Sequence, residues 1–238
     1  MTAAATLVAT LTIAAPAQAA GANYVALGDS YASGVGAGNY TSESGSCKRS
    51  TSAYPALYAA NNAPASYRSV ACSGATTSTV LNNQLSALSS STTLISLTVG
   101  GNDVGFSNIM TTCVLYGTTE CVSAVAAAEV QAQTVLPGKL DTLYNAIRAK
   151  SPSARVVVVD YPVFYQLNTF CVGLSAESRA KINEGINILD GVIQQAASRH
   201  GFVFADVRSI FVGHQLCSYG EKWLHALNYL TLDVSYHP

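Results

Sequence analysis

Five short stretches of this 238-residue chain are apolar and rich in β-branched or aromatic residues: Asn23–Leu27, Tyr67–Ala71, Leu94–Val99, Arg155–Tyr161 and Phe202–Val207. The run Val156-Val157-Val158-Val159 has no polar alternation, the pattern of a strand covered on both faces. Between the last two stretches, Ile182, Ile186, Leu189, Ile193 and Ala196 recur at helical spacing. Ser175 is placed to cap the start of that helix, and Arg199-His200-Gly201 suits its end. A shorter helical pattern, Leu136, Leu140, Leu143 and Ile147, precedes the fourth stretch, with Pro152 at its exit. Strand, helix and strand in this order predict right-handed crossovers and a mostly parallel five-stranded sheet with helices on both faces, a three-layer α/β/α sandwich. Segments 33–53, 72–92 and 102–121 are rich in Ser, Thr, Asn and Gly and leave the carboxyl ends of the first three strands. They are expected to be loops that build a binding site.

Composition narrows the picture. The chain is 49% hydrophobic and 11% charged, enough for a well-buried core, and no linker-like stretch divides it. A net charge of −1 leaves neither a footprint for nucleic acid nor a polybasic patch for a membrane. Residues 1–19 read as an export signal: Leu7 to Ile13 is the apolar segment and Ala17-Gln18-Ala19 the cleavage pattern. The basic stretch that normally precedes such a segment is missing, so the true start is expected upstream. Residues 20–238 then form one secreted domain. Six cysteines fit that compartment and allow about 15 pairings; the simplest is sequential, Cys47–Cys72, Cys113–Cys121 and Cys171–Cys217. No metal site is expected, because no C-x-x-C occurs and no histidine sits at ligand spacing from a cysteine pair. No cofactor is expected either: Gly34-Val35-Gly36-Ala37-Gly38 lacks the third glycine of a dinucleotide loop.

The candidate chemistry begins where the first strand ends, at Gly28-Asp29-Ser30. A serine there sits on a turn at the carboxyl edge of the sheet, where parallel α/β folds keep their sites. Its hydroxyl needs a base to take the proton and donors to hold the oxyanion that forms. Three further blocks offer them: Cys72-Ser73-Gly74-Ala75-Thr76, Gly100-Gly101-Asn102-Asp103 and Ser235-Tyr236-His237-Pro238. His200 reads as a helix-terminal cation, while His214 and His225 carry no supporting motif.

These four blocks, in this order, resemble those of the SGNH (GDSL) hydrolase superfamily. The likeness is greatest to its secreted bacterial lipase and phospholipase A1 branch, which also has a six-cysteine framework. The resemblance implies a flavodoxin-like fold with Ser30 as nucleophile and His237 as base. It also implies an oxyanion hole made by the backbone N–H groups of Ser30 and Gly74 and the side-chain amide of Asn102. Most members carry an acid three residues before the histidine, but here that position is Val234. Asp233, one residue further back, would lie about 13 Å along an extended chain from His237. Some members use the main-chain carbonyl two residues before the histidine, here that of Ser235, and this dyad is the preferred expectation. Relatives also continue past the histidine, so the native chain is expected to extend beyond Pro238.

The function implied is hydrolysis of lipid acyl esters, phospholipids included, through an acyl-enzyme. The expected partners are a lipid or small ester and, transiently, a lipid surface, with the enzyme a monomer. Tyr116, Tyr161, Phe164, Tyr165 and Phe170 are candidates to line an acyl site. Two alternatives are a carbohydrate acetyl esterase and a non-catalytic binding module; the second predicts loss of Ser30 or His237, and both are intact.

Overall fold

The structure is a computed structural model and describes residues 21–228 and 234–238. The export signal read at 1–19 and the candidate Asp233 lie outside the described residues. All five apolar stretches form strands: β1 (Asn23–Gly28), β2 (Ser66–Ser69), β3 (Leu94–Thr98), β4 (Arg155–Val159) and β5 (Val203–Ala205). They pair in parallel throughout, in the order β2-β1-β3-β4-β5. The chain leaves β1 for β2 on one side and returns to β3 on the other. The direction of winding therefore reverses at β1, and a crevice opens outside the carboxyl ends of β1 and β3.

The helices are α1 (Ser30–Ser33), α2 (Tyr54–Asn62), α3 (Thr77–Thr79), α4 (Phe106–Leu115), α5 (Thr118–Thr134), α6 (Leu136–Lys150) and α7 (Ala176–Arg199). The expected α7 starts where the Ser175 hydroxyl accepts from the Ser178 N–H at 3.1 Å. It buries Ile182, Ile186, Leu189, Ile193 and Ala196. α6 buries Leu136, Leu140, Leu143 and Ile147 as its spacing predicts, and Tyr144 besides. These side chains meet Leu27, Ile95, Leu97 and Val158 of the central strands in one core.

One expectation is corrected. Segment 102–121 is not a loop: past a short turn at Asn102–Val104 it runs into α4 and the start of α5. Its Ser/Thr content disguises a helix, because the Thr111 and Thr112 hydroxyls donate to the carbonyls of Ser107 and Asn108, each at 2.9 Å. Bonds of that kind run back along the helix and leave its ladder intact. Segment 72–92 likewise contains α3 and further helical turns. The cysteines pair sequentially, Cys47–Cys72, Cys113–Cys121 and Cys171–Cys217.

Candidate active site

The turn after β1 leaves little freedom for the serine it presents. Gly28 has φ +127°, and a Cβ there would lie 2.3 Å from the Thr98 carbonyl oxygen, so only glycine fits. The Gln84 side chain brackets Gly28: its Oε1 accepts from the Gly28 N–H and its Nε2 donates to the Gly28 carbonyl, both at 2.8 Å. Asp29 then caps α1, its Oδ1 accepting from the Tyr31 N–H at 3.0 Å. Ser30, the first residue of α1, is buried at the end of this turn.

His237 meets it from the far end of the chain, with Nε2 2.8 Å from Ser30 Oγ. Its Nδ1 lies 3.0 Å from the Ser235 carbonyl oxygen. A carbonyl only accepts, so Nδ1 carries the proton and Nε2 is left bare to receive the serine hydroxyl. Burial lowers the imidazole pKa to about 4 against the pull of its bond to Ser235, which keeps the ring neutral at pH 7. Between the two residues Tyr236 is held in the left-handed region at φ +65°. The neighbours over-determine that conformation. The Tyr236 N–H donates to the His225 carbonyl and the His225 N–H to the His237 carbonyl, both at 2.8 Å. The Tyr31 hydroxyl donates to the Tyr236 carbonyl at 2.5 Å, tying the serine turn to the histidine loop.

The third side of the site is a pair of linked turns. Asn102 Nδ2 donates to the Ala75 carbonyl at 3.0 Å, which leaves its second amide hydrogen for another acceptor. Asp103 accepts from the Thr77 N–H at 2.8 Å and from the Thr77 hydroxyl at 2.7 Å. The Gly74 and Asn102 turns are thereby bonded twice over. Gly74 itself is exposed at φ +77°, two residues after the Cys47–Cys72 bridge. Tyr161 joins this side to the first: its hydroxyl accepts from the Gly101 N–H at 3.1 Å and donates to Asp29 Oδ2 at 2.5 Å. Burial pushes the Asp29 carboxyl up to about 7, opposed by these hydrogen bonds.

Ser30 and Asn102 line one cleft with Phe106, Tyr161, Phe164 and Leu189. Gly74 is not among the residues that line this cleft. Of the five aromatic candidates, Tyr161 and Phe164 reach this cleft. Tyr165 and Phe170 line a separate groove, and Tyr116 is exposed. The other histidines are engaged elsewhere: His200 with Asp141, His214 with the Glu221 carbonyl and the Trp223 ring, His225 with the Gly36 carbonyl. Gln84, Asp103 and Tyr161 carry no local sequence signal for these roles, since each acts on a partner far along the chain.

A wholly parallel α/β sheet with a hydrogen-bonded serine and neutral histidine at the carboxyl edge of its first strand is the frame of a serine-type hydrolase. Among such enzymes, the chain belongs to the GDSL-like lipase/acylhydrolase family, which its residues 26–230 match. It is 54% identical over 234 residues to Lipase 1 of Streptomyces coelicolor, covering 97% of this chain and 87% of that one. Its structure superposes on that of phospholipase A1 from Streptomyces albidoflavus NA297 with a TM-score of 0.90. The two are 52% identical, with 92% of this chain and 93% of that one covered. An extracellular lipase from Streptomyces rimosus gives a TM-score of 0.89 at 51% identity, covering 91% and 92% of the two chains. The protein is a carboxylic ester hydrolase of the lipase type. Among its described residues, no helix is long and apolar enough to cross a membrane.

Proposed function

We propose that Ser30 and His237 carry out the hydrolysis, and that the substrates are acyl esters of lipids, phospholipids included. The observation that carries this reading is the 2.8 Å contact between Ser30 Oγ and His237 Nε2, with the tautomer fixed by the Ser235 carbonyl. His237 takes the Ser30 proton as Oγ attacks the acyl carbon. The oxyanion that forms is held by the Ser30 and Gly74 N–H groups and the free amide hydrogen of Asn102. Each such donor is worth on the order of 3–4 kcal/mol in the transition state. The intermediate collapses to acyl-Ser30, and the leaving alcohol takes the proton from His237. Water, deprotonated by the same nitrogen, then releases the fatty acid.

The lining of the cleft suits an apolar acyl group better than the polar ring of a sugar. Its walls beyond Ser30 are Phe106, Phe164, Ile186 and Leu189. Phe106, Ile186 and Leu189 also wall an adjoining apolar cavity that reaches Met110 and Val125 between α4, α5 and α7. The polar side chains nearby, Asp29, Tyr31 and Tyr161, are already bonded within the protein. Export supports the three disulfides, which persist in oxidising compartments. The leader at 1–19 and a single domain over 20–238 belong to the same reading. The paired residues come from one chain, so a monomer suffices.

The test is a panel of purified esters running from acetate to long-chain phosphatidylcholine, with products identified by mass, beside Ser30→Ala. We expect kcat/KM to rise with acyl length, fatty acid to leave from the first glycerol position, and the variant to be inactive but folded. Preference for acetylated sugars, or activity of Ser30→Ala within tenfold of wild type, overturns the reading.

A further inference from the structure

Beside the Ser30 cleft lies a second, larger concavity, a groove of about 970 Å³. Its rim carries the most exposed large apolar side chains among the described residues: Phe170 at 84%, Val172 at 85% and Tyr219 at 87% exposure. Cys113, Val114, Gly117 and Thr118 line another wall, and in the same turn Leu115 at 61% and Tyr116 at 65% are exposed without lining the groove. Single exposed apolar residues need no explanation, but several large ones gathered around one depression mark a surface built to be covered.

We infer that this rim is the docking surface by which the enzyme settles on a zwitterionic or neutral lipid surface, an inference that rests on the lipid-ester reading above. Three observations select that occupant. Among the described residues Lys222 is the one charged residue lining the groove, so these residues offer apolar burial without a cationic patch for anionic partners. Phenylalanine and tyrosine are the side chains that sit well at a membrane–water boundary. The face is also continuous with the active site. Its walls come from the connections that follow β3, β4 and β5, and in an all-parallel sheet these leave the same edge as Ser30. Tyr236, adjacent to His237, lines the groove, and its ring stacks at 5.8 Å on Phe164, which lines the Ser30 cleft. One aromatic layer therefore separates the docking face from the reacting atoms.

The rim is also held in place. Cys171–Cys217 joins the segments that carry Phe170 and Tyr219, and Cys113–Cys121 closes the turn that carries Leu115 and Tyr116. The Thr118 hydroxyl donates to the Ser175 hydroxyl oxygen at 2.9 Å and ties the two walls together. Apolar side chains presented on such braced loops lose little conformational freedom when they enter lipid.

The experiment compares wild type with the combined variant Phe170→Ser, Val172→Ser, Tyr219→Ser on two substrates. One is a soluble short-chain ester below its solubility limit; the other is phosphatidylcholine vesicles. Binding is measured by vesicle sedimentation in a Ser30→Ala background. We expect the three substitutions to weaken vesicle binding and vesicle hydrolysis by at least about tenfold. Hydrolysis of the soluble ester should stay within about twofold, because none of the three side chains lines the Ser30 cleft. Vesicle binding should change little between low and high salt. As a second measurement, the Phe170→Trp variant should gain a blue-shifted emission with vesicles that wild type, with its one tryptophan, lacks. Unchanged vesicle binding, equal losses on both substrates, no blue shift, or loss of a dimer in place of lipid binding overturns the inference. Failure of the lipid-ester reading looks different: wild type itself would then leave the phosphatidylcholine vesicles unhydrolysed, whatever it does to the soluble ester.

Discussion

On the proposed reading His237 acts with the Ser235 carbonyl, 3.0 Å from its Nδ1, in the place of a carboxylate. A carbonyl fixes the tautomer as an acid would, and steadies the imidazolium with a dipole in place of a full charge. Asp233→Asn should therefore lower kcat by less than about tenfold, whereas the same change in a carboxylate-dependent triad costs about 10⁴-fold. Steady-state kinetics beside His237→Ala decides it: comparable losses in the two variants would make Asp233 a triad member. Tyr161 is the residue on which the opposite side of the site depends. Tyr161→Phe leaves the buried Gly101 N–H without its acceptor and Asp29 Oδ2 without its strongest donor. We expect a loss of about 2 kcal/mol in stability. Because the Asn102 turn then drifts from the oxyanion, kcat should fall while KM holds. A rise in KM at constant kcat would place Tyr161 in substrate binding instead.

At the scale of elements, legibility followed the size of the buried side chains. β1, β3 and β4 stand out as apolar runs, and α7 as a stripe of isoleucine and leucine begun by Ser175. α5 left no such trace, since it has no leucine or isoleucine and buries only Cys121, Val125 and Ala132. It fits because α7 offers Gly185 opposite, where a Cβ would come within 2.8 Å of Val125 Cγ1. Close packing through small residues is invisible to a hydrophobic pattern. Of the four blocks that define the candidate site in the sequence, the structure joins Ser30 to His237 and sets Ser30 and Asn102 in one cleft, whereas the braces of that site were not legible. Gln84 and Asp103 bond to partners 56 and 26 residues away. The Cys47–Cys72 bridge belongs with these braces, for it anchors the Gly74 turn, with the Ser73 N–H donating to the Cys47 carbonyl at 3.1 Å. Replacing both cysteines by serine should cost roughly 3 kcal/mol of stability, by release of the loop it closes. It should also lower kcat on a soluble ester. A stability loss measured by thermal unfolding, with kcat unchanged, would show that the bridge serves the fold alone.

At the scale of the whole molecule, Ser30 and Asn102 lie outside the carboxyl edge of one sheet, by the reversal between β1 and β3, and the 234–238 segment brings His237 against Ser30. Burial of that contact has a measurable consequence. If His237 is the base, as proposed, it is competent only when neutral, and burial lowers its pKa to about 4 from an ordinary value near 6.5. kcat/KM on a soluble ester should therefore rise with pH through about 4 and stay level to neutrality. An acid limb near 6.5 would mean that His237 is solvated in the working enzyme. The central claim, that Ser30 is a nucleophile activated by His237, is tested most directly by covalent capture. Wild type, Ser30→Ala and His237→Ala are incubated with a long-chain alkyl fluorophosphonate, and the adduct is mapped by peptide mass. We expect a single adduct on Ser30 in wild type, none in Ser30→Ala, and labelling slowed by at least about a hundredfold in His237→Ala. An adduct on any other residue, or Ser30 labelled equally fast without His237, would contradict it.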